Sequence, residues 1–281
     1  SRFSREFERL PTIPSLNCYL FMKCPVLLAA AVLAAPLSAF CVEAPAETPG
    51  ATVPAVKMPK IDFIEYDLPN GLHVILHQDK TAPVISTYLL YHVGSKNERP
   101  DRTGFAHFFE HLMFEGSENI QRGQIDKLVS AAGGNLNAST SFDRTDYYFN
   151  LPANQLGLAL WIESERMMHG KVEKVGVETQ RQVVKEERRR GTDNAPYGTL
   201  FENLVGQTFK GTPYEWPPIG SAQYIDQAKI GEFRDFYRRF YVPNNATLVV
   251  AGDFEIEQAK KLIAEYFGPI PRGPEIERPK V

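Results

Sequence analysis

Two histidines and one glutamate interrupt an otherwise apolar segment, FAHFFEHLMF, at residues 105–114. In an α-helix, His107 and His111 lie about 40° apart around the axis and one turn apart along it, and Glu110 lies about 60° to the other side of His107. The three side chains therefore share one face. Because their apolar neighbours leave these groups poorly solvated, the segment can form a packed helix only if something pairs with them.

A divalent metal ion is such a partner. Two imidazoles at this spacing supply two of the three protein ligands of a catalytic zinc, and H-x-x-E-H is the inverted form of the H-E-x-x-H zinc peptidase motif. A carboxylate beside the metal can take the proton of water that zinc has acidified. The pattern therefore predicts His107 and His111 as metal ligands and Glu110 as the general base. Polar positions on an ordinary amphipathic helix are the alternative, which the apolar flanks disfavour.

The third ligand cannot be chosen from the residues alone. The candidates are the remaining histidines and the carboxylates of a long charged stretch with helical propensity: His73, His77, His92, His169 and the acidic residues between Val172 and Arg190. Most charges of that stretch are expected to form a solvated helix face.

Charge and cysteine content exclude two other kinds of site. The 281-residue chain has a formal net charge of −3 and six scattered histidines, so it lacks the basic stripe that neutralises phosphates, and nucleic acid is not an expected partner. Its three cysteines, Cys18, Cys24 and Cys41, all precede residue 42, which leaves none for a disulfide or a thiolate metal site in the rest of the chain.

The amino-terminal residues have the layout of a secretory signal. Lys23 follows Met22, an apolar run extends from Pro25 to Ala35, and small residues follow. The apolar run is shorter than the roughly 20 residues of a spanning helix, so no stable membrane span is expected in the mature chain. Residues 1–41 are interpreted as an upstream extension and signal peptide with Met22 as the start, and export, to the periplasm of a bacterium, is predicted. Phe40 before Cys41 argues against a lipoprotein signal.

The rest of the chain predicts one α+β domain. Residues 42–60 form a Pro- and Ala-rich linker, residues 61–272 the domain, and residues 273–281 an exit linker. Asn-Gly within Pro69–Gly71 predicts a β-hairpin, and Thr103 is expected to cap a helix that stops at Gly116. Strands and helices are mixed without regular βαβ alternation, which is typical of α+β folds.

Several segments together resemble the pitrilysin (insulinase-like) family of zinc metallopeptidases, in particular its small bacterial members related to the mitochondrial processing peptidase. They are the H-x-x-E-H motif, LPNGLHVILHQD, GGNLNASTSFDRTDYYF, PYGTL, PPIGS and FYRRFYVPNNATLVVAGDF. The resemblance extends over about residues 61–272. It implies a pitrilysin-type domain with a mostly antiparallel sheet and packed helices.

The resemblance also implies roles for further residues. Glu187 lies 76 residues beyond His111, within QRQVVKEERRR, and matches the family's third ligand, with Glu186 as the neighbouring alternative. Asn137 and Ala138 match an edge strand that pairs with an extended peptide substrate. Gln180 stands where relatives often carry a glutamate that supports the site. It keeps a hydrogen-bonding amide and lacks the charge.

The function implied is that of a Zn²⁺-dependent metalloendopeptidase acting on peptides or unfolded protein segments. Active relatives close two or more homologous domains around the peptide, so a second domain or a partner subunit is expected to be needed for full activity. One alternative is a non-catalytic binding or assembly subunit with the same fold. Another is a chain that binds zinc and is inactive only because it is truncated.

Overall fold

The computed structural model describes residues 60–279, which contain one six-stranded sheet and eight α-helices. In chain order the elements are β1 (Ile64–Asp67), β2 (His73–Gln78), β3 (Val84–Tyr91), α1 (Phe105–Leu112), α2 (Gln124–Ala131), β4 (Asn135–Thr140), β5 (Thr145–Pro152), α3 (Leu156–His169), α4 (Lys174–Arg188), α5 (Leu200–Thr208), α6 (Ala222–Gln227), α7 (Ile230–Phe240), β6 (Ala246–Gly252) and α8 (Ile256–Phe267).

The sheet has the strand order β1-β2-β6-β3-β5-β4. Neighbouring strands are antiparallel except β2 and β6, which are parallel with His73 opposite Thr247. Residues of one face, such as Leu89 and Val250, are fully buried, whereas their neighbours along each strand are partly exposed. The predicted α+β fold with a mostly antiparallel sheet is confirmed.

The predicted hairpin connects β1 and β2. Gly71 has a φ of +91°, a left-handed conformation that favours glycine, and the Leu68 and Leu72 backbones close the turn. The buried Asn70 side chain donates to the carbonyls of Phe267 and Ile270. The turn is therefore fixed to the end of α8, in addition to its own backbone bonds.

Aromatic packing fixes helix α1 in the core. The ring centroids of Phe105 and Phe108 lie 4.7 and 4.5 Å from that of Phe233 on α7. The ring centroid of Phe109 lies 5.4 Å from that of Phe236. Burying a phenylalanine side chain contributes about 1.5–3 kcal/mol. The three phenylalanines therefore fix one side of α1 against α7. The polar side chains of α1 lie together on another side of the helix.

The structure differs from the sequence expectations around α1. The helix ends at Leu112 and not at Gly116, whose φ of +99° belongs to the following turn. Thr103 does not cap it. The Thr103 hydroxyl accepts a bond from the Ser221 backbone N–H, and Gly104, with a φ of +96°, takes the cap position without a side-chain bond.

Helices α5 and α6 were not expected. Their region is rich in Gly, Pro and Thr, which favours loops, and α5 buries only Val205. The signal peptide and most of the predicted linker fall on residues 1–59, outside the described residues, and the domain boundaries stay predictions. No helix in residues 60–279 combines the length and the apolar character that crossing a membrane requires.

Candidate metal and catalytic site

Three donor atoms from two helices converge at the polar face of α1. The Nε2 atoms of His107 and His111 are 3.2 Å apart, and Oε2 of Glu187, on α4, is 3.6 Å from the first and 3.2 Å from the second. Within residues 60–279 this is the one group of His, Cys, Asp and Glu side chains close enough to hold a metal ion. The fold thus brings together residues that are 76 positions apart.

The three donors fit a zinc ion. Ligand atoms at about 2.0–2.1 Å from a tetrahedral zinc are separated from one another by about 3.4 Å, which matches the observed distances within a few tenths of an ångström. Two imidazoles and one carboxylate are also the donor set of known catalytic zinc sites. His107 and His111 would hold the ion from α1, and Glu187 would close the set from α4.

Burial and charge favour the ligand forms of these side chains. Burial lowers the pKa of His107 to about 4, with the neighbouring His111 adding to the fall and Glu187 opposing it. The hydrogen bond with His111 lowers the pKa of Glu187 despite partial burial. Because a metal binds neutral imidazole and ionised carboxylate, His107 and Glu187 are already in the required states at neutral pH.

Glu110 lies on the same helix, next to the ligands but not among them. Burial raises the pKa of its carboxyl group, and hydrogen bonding from the Thr140 hydroxyl partly offsets the rise. Thr140 is the last residue of β4. The Glu110 carboxyl group is therefore near His111 and Glu187 on one side and the end of the edge strand β4 on the other.

The other sequence candidates for the third ligand lie elsewhere. Glu186 is bonded to Arg189 and Arg190 on the outside of α4. The four remaining histidines each have a different neighbour: His73 pairs with Asp67, His77 bonds the Asp62 carbonyl, His92 contacts Lys96 and His169 pairs with Glu118. Of the candidates, Glu187 is the one that reaches His107 and His111.

Polar contacts hold the end of α4 that carries Glu187. Arg188, next to Glu187, donates to the Gly220 carbonyl and pairs with Glu202 of α5 at 2.9 Å. A π-helical turn, Arg189–Asp193, follows at once. Such turns are frequent at functional sites. The short helix α5, which the sequence did not predict, thus contributes to the position of Glu187.

Gln180 takes part in a partly buried polar cluster two turns before Glu187. Its Nε2 donates to Oε1 of Glu115 at 2.6 Å, and Arg122 reaches the other oxygen of Glu115 at 2.7 Å. Glu115 lies against Gly176, where a Cβ would come within 3.2 Å of its side chain. Sequence reasoning named Gln180 but missed Glu115, which lies four residues after His111 and carries the carboxylate of this cluster.

One side of the edge strand β4 has no neighbouring strand among the described residues. β4 pairs only with β5 among the described residues, with Ala138 opposite Tyr147. The Ala138 N–H is bonded to the Oδ1 of Asn137 at 2.9 Å and not to β5. Because the N–H and C=O of one residue of an antiparallel strand point to the same side, Ala138 presents both groups at the open edge.

Comparison with known proteins decides the family. The family model described as "Insulinase (Peptidase family M16)" matches residues 73–221, which include His107, Glu110, His111 and Glu187. The chain belongs to the insulinase (M16) peptidase family. A second model, "Peptidase M16 inactive domain", matches residues 228–281.

Similar proteins include named proteases. The zinc protease PqqE of Helicobacter pylori is 36% identical over 201 residues, covering 71% of this chain and 45% of that protein. The crystal structure of a protease from Helicobacter pylori matches with a TM-score of 0.75 and 34% identity, covering 78% of this chain and 53% of that one. The first half of the periplasmic protease PqqL from Escherichia coli matches with a TM-score of 0.70 and 28% identity, over 77% of this chain and 48% of that one. The chain spans about half the length of these relatives.

Proposed function

We propose that this chain is the zinc-binding half of an exported M16 metalloendopeptidase that cleaves peptides or unfolded protein segments. The observation that carries the proposal is the convergence of His107, His111 and Glu187, with Glu110 on the same helix and hydrogen-bonded to Thr140 at the end of the edge strand. The names of the relatives, among them a zinc protease and a periplasmic protease, support the activity and the location.

Each group has a distinct part in this reaction. Zinc, when bound, acidifies water and polarises the scissile carbonyl. Glu110 takes the proton of the attacking water and later gives it to the leaving amine, a role suited to a carboxyl group whose pKa burial has raised. The substrate extends the sheet along β4, so that its backbone is aligned with Glu110 before reaction.

A second M16 half, within the same protein or on a partner subunit, completes the enzyme in this proposal. The supporting fact is that the chain covers 45% and 53% of two of its relatives. A non-catalytic assembly role is disfavoured because His107, Glu110, His111 and Glu187 are all present and the three proposed metal ligands converge.

Glu110→Gln tests the assignment of the base. The variant keeps the shape of the side chain and removes its basicity, so it should bind zinc as the wild type does and lose peptide hydrolysis by at least about 10²–10⁴-fold. Zinc content and cleavage of a quenched-fluorescence peptide library would be measured with a second M16 half added. Full activity in Glu110→Gln would remove Glu110 from the mechanism, and stoichiometric zinc without any hydrolysis by the wild type would favour the assembly role.

Ala138→Pro tests substrate pairing at β4. Proline removes the N–H that faces the open edge, and an edge strand tolerates proline where that group faces solvent. One lost backbone bond should reduce kcat/KM by about tenfold, mostly through KM, with zinc content unchanged. Ala138→Gly, which keeps the N–H, is the matched control. Equal kinetics of the two variants would show that the peptide does not pair with Ala138.

A further inference from the structure

A buried carboxylate stands at the start of the site helix. Glu98 is only 8% exposed, and its oxygens accept the backbone N–H of Gly104 at 2.9 Å, the N–H of Ala106 at 2.8 Å and the indole N–H of Trp216 at 3.1 Å. Burial raises the pKa of Glu98 to about 8, and these donors act against the rise. Burying an ionisable side chain costs free energy unless it is hydrogen-bonded, so the contacts of Glu98 indicate a structural or functional role.

Helix α1 needs such a group. It has only eight residues, and isolated helices shorter than about 12–15 residues are marginal in water. Its cap position is Gly104, which offers no side chain to the unpaired N–H groups of the first turn. Glu98 supplies acceptors for two of those groups from outside the helix.

The first turn of α1 is also part of the site. His107 is the third residue of the helix and follows directly after Ala106, whose N–H the Glu98 carboxylate accepts. The aromatic contacts of Phe105 and Phe108 fix the helix sideways against α7, but they leave the first-turn N–H groups unpaired. A shift of this turn would move His107 relative to His111, which lies one turn further on.

Trp216 joins a second segment to the same point. Its indole N–H is shared between the Glu98 carboxylate and the Ser95 carbonyl, at 3.1 and 3.0 Å. Nearby, Gly220 passes so close to Gly104 that a Cβ would lie 2.2 Å from the Gly104 nitrogen. The Gly220 carbonyl is the acceptor of Arg188, the neighbour of Glu187. The segment between Trp216 and Gly220 thus contacts both ligand-bearing helices.

We propose that Glu98 is a positioning residue of the metal site: its carboxylate caps α1 and thereby fixes His107 in the geometry that His111 and Glu187 require. Trp216 holds the carboxylate in place. This inference rests on the proposed function, because it concerns the same zinc site. It predicts that a change at Glu98 alters zinc affinity beyond any effect on stability.

Glu98→Gln tests the inference on the full chain. The amide has nearly the same volume, but its NH₂ group faces an N–H donor and at least one bond is lost. The zinc dissociation constant, measured by chelator competition, should rise by about ten- to hundredfold, as for other residues that orient ligands. Trp216→Phe, which removes one donor only, should give a smaller rise. It also serves as the second variant if Glu98→Gln does not fold.

Ile263→Ala separates positioning from stability. Ile263 is fully buried in α8, so its truncation lowers the melting temperature without touching α1. Its zinc dissociation constant should equal that of the wild type. A dissociation constant within twofold of the wild type in folded Glu98→Gln, or a rise that Ile263→Ala reproduces at equal melting temperature, would overturn the inference while leaving the proposed function intact. A wild type without zinc affinity would overturn both.

Discussion

The two helices that carry the proposed metal ligands differ in how they are held. The side chains of His107 and His111 are 9% and 24% exposed, whereas that of Glu187 is 50% exposed. Aromatic rings of α7 pack against α1, whereas polar contacts of Arg188 hold the end of α4. The histidine pair is therefore preorganised by the core, and the carboxylate is placed by a small number of hydrogen bonds.

This difference predicts which substitutions should abolish metal binding and which should only weaken it. Because the interior around α1 is close-packed, neighbouring side chains cannot move to replace a ligand that is removed from this helix. A half-exposed side chain at the end of α4 can adjust, because solvent and a neighbouring loop surround it. The two helices should accordingly respond differently to substitution of their proposed ligands.

Glu187→Gln, compared with His111→Ala, gives the largest expected effect. His111→Ala removes a ligand and should abolish stoichiometric zinc. Glu187→Gln keeps an oxygen donor and loses the charge, so zinc should still bind. Its dissociation constant should rise by more than the ten- to hundredfold that is typical of residues outside the ligand set. Isothermal titration with zinc measures both, and Glu186→Gln is the matched control with unchanged affinity. Equal loss of zinc in Glu187→Gln and His111→Ala would show that α4 is as rigid as α1 at the site.

The same contrast explains how far the sequence predicts the site. The α1 residues are recognisable because their spacing within one helix is itself the chemical signal. Glu187 has no such local signal, since it is one of several acidic residues on a charged helix, and resemblance to a family was needed to choose it. Its neighbour Glu186, equally plausible by composition, is bonded to arginines outside the site.

Much of the fold was predictable for a similar reason. Alternating strands and the hairpin at Asn70–Gly71 depend on local pattern, and they are present as expected. The parallel pairing of β2 with β6 and the Glu98 cap connect distant segments, and no periodicity encodes them. Helix α5 was missed because its region is rich in Gly, Pro and Thr, and in the structure its residues Leu200 and Leu204 are 65% and 59% exposed.

Substitutions in the Gln180–Glu115 pair should give the smallest effect. They test whether contacts of α4 outside the proposed ligand set alter zinc affinity. Gln180→Glu would set a carboxylate against the buried Glu115, and two adjacent carboxylates cannot both ionise without cost. Zinc affinity and melting temperature should therefore both fall, the affinity by about tenfold.

The exchanged pair, Gln180→Glu with Glu115→Gln, restores one carboxylate and one amide and should recover most of both losses, as a double-mutant cycle measures. Because Arg122 pairs with Glu115, the recovery should be incomplete. Recovery of melting temperature without recovery of zinc affinity would mean that the location of the charge, and not its presence, tunes the carboxylate ligand on α4. No interaction between the two positions would mean that the cluster does not act on the site at all.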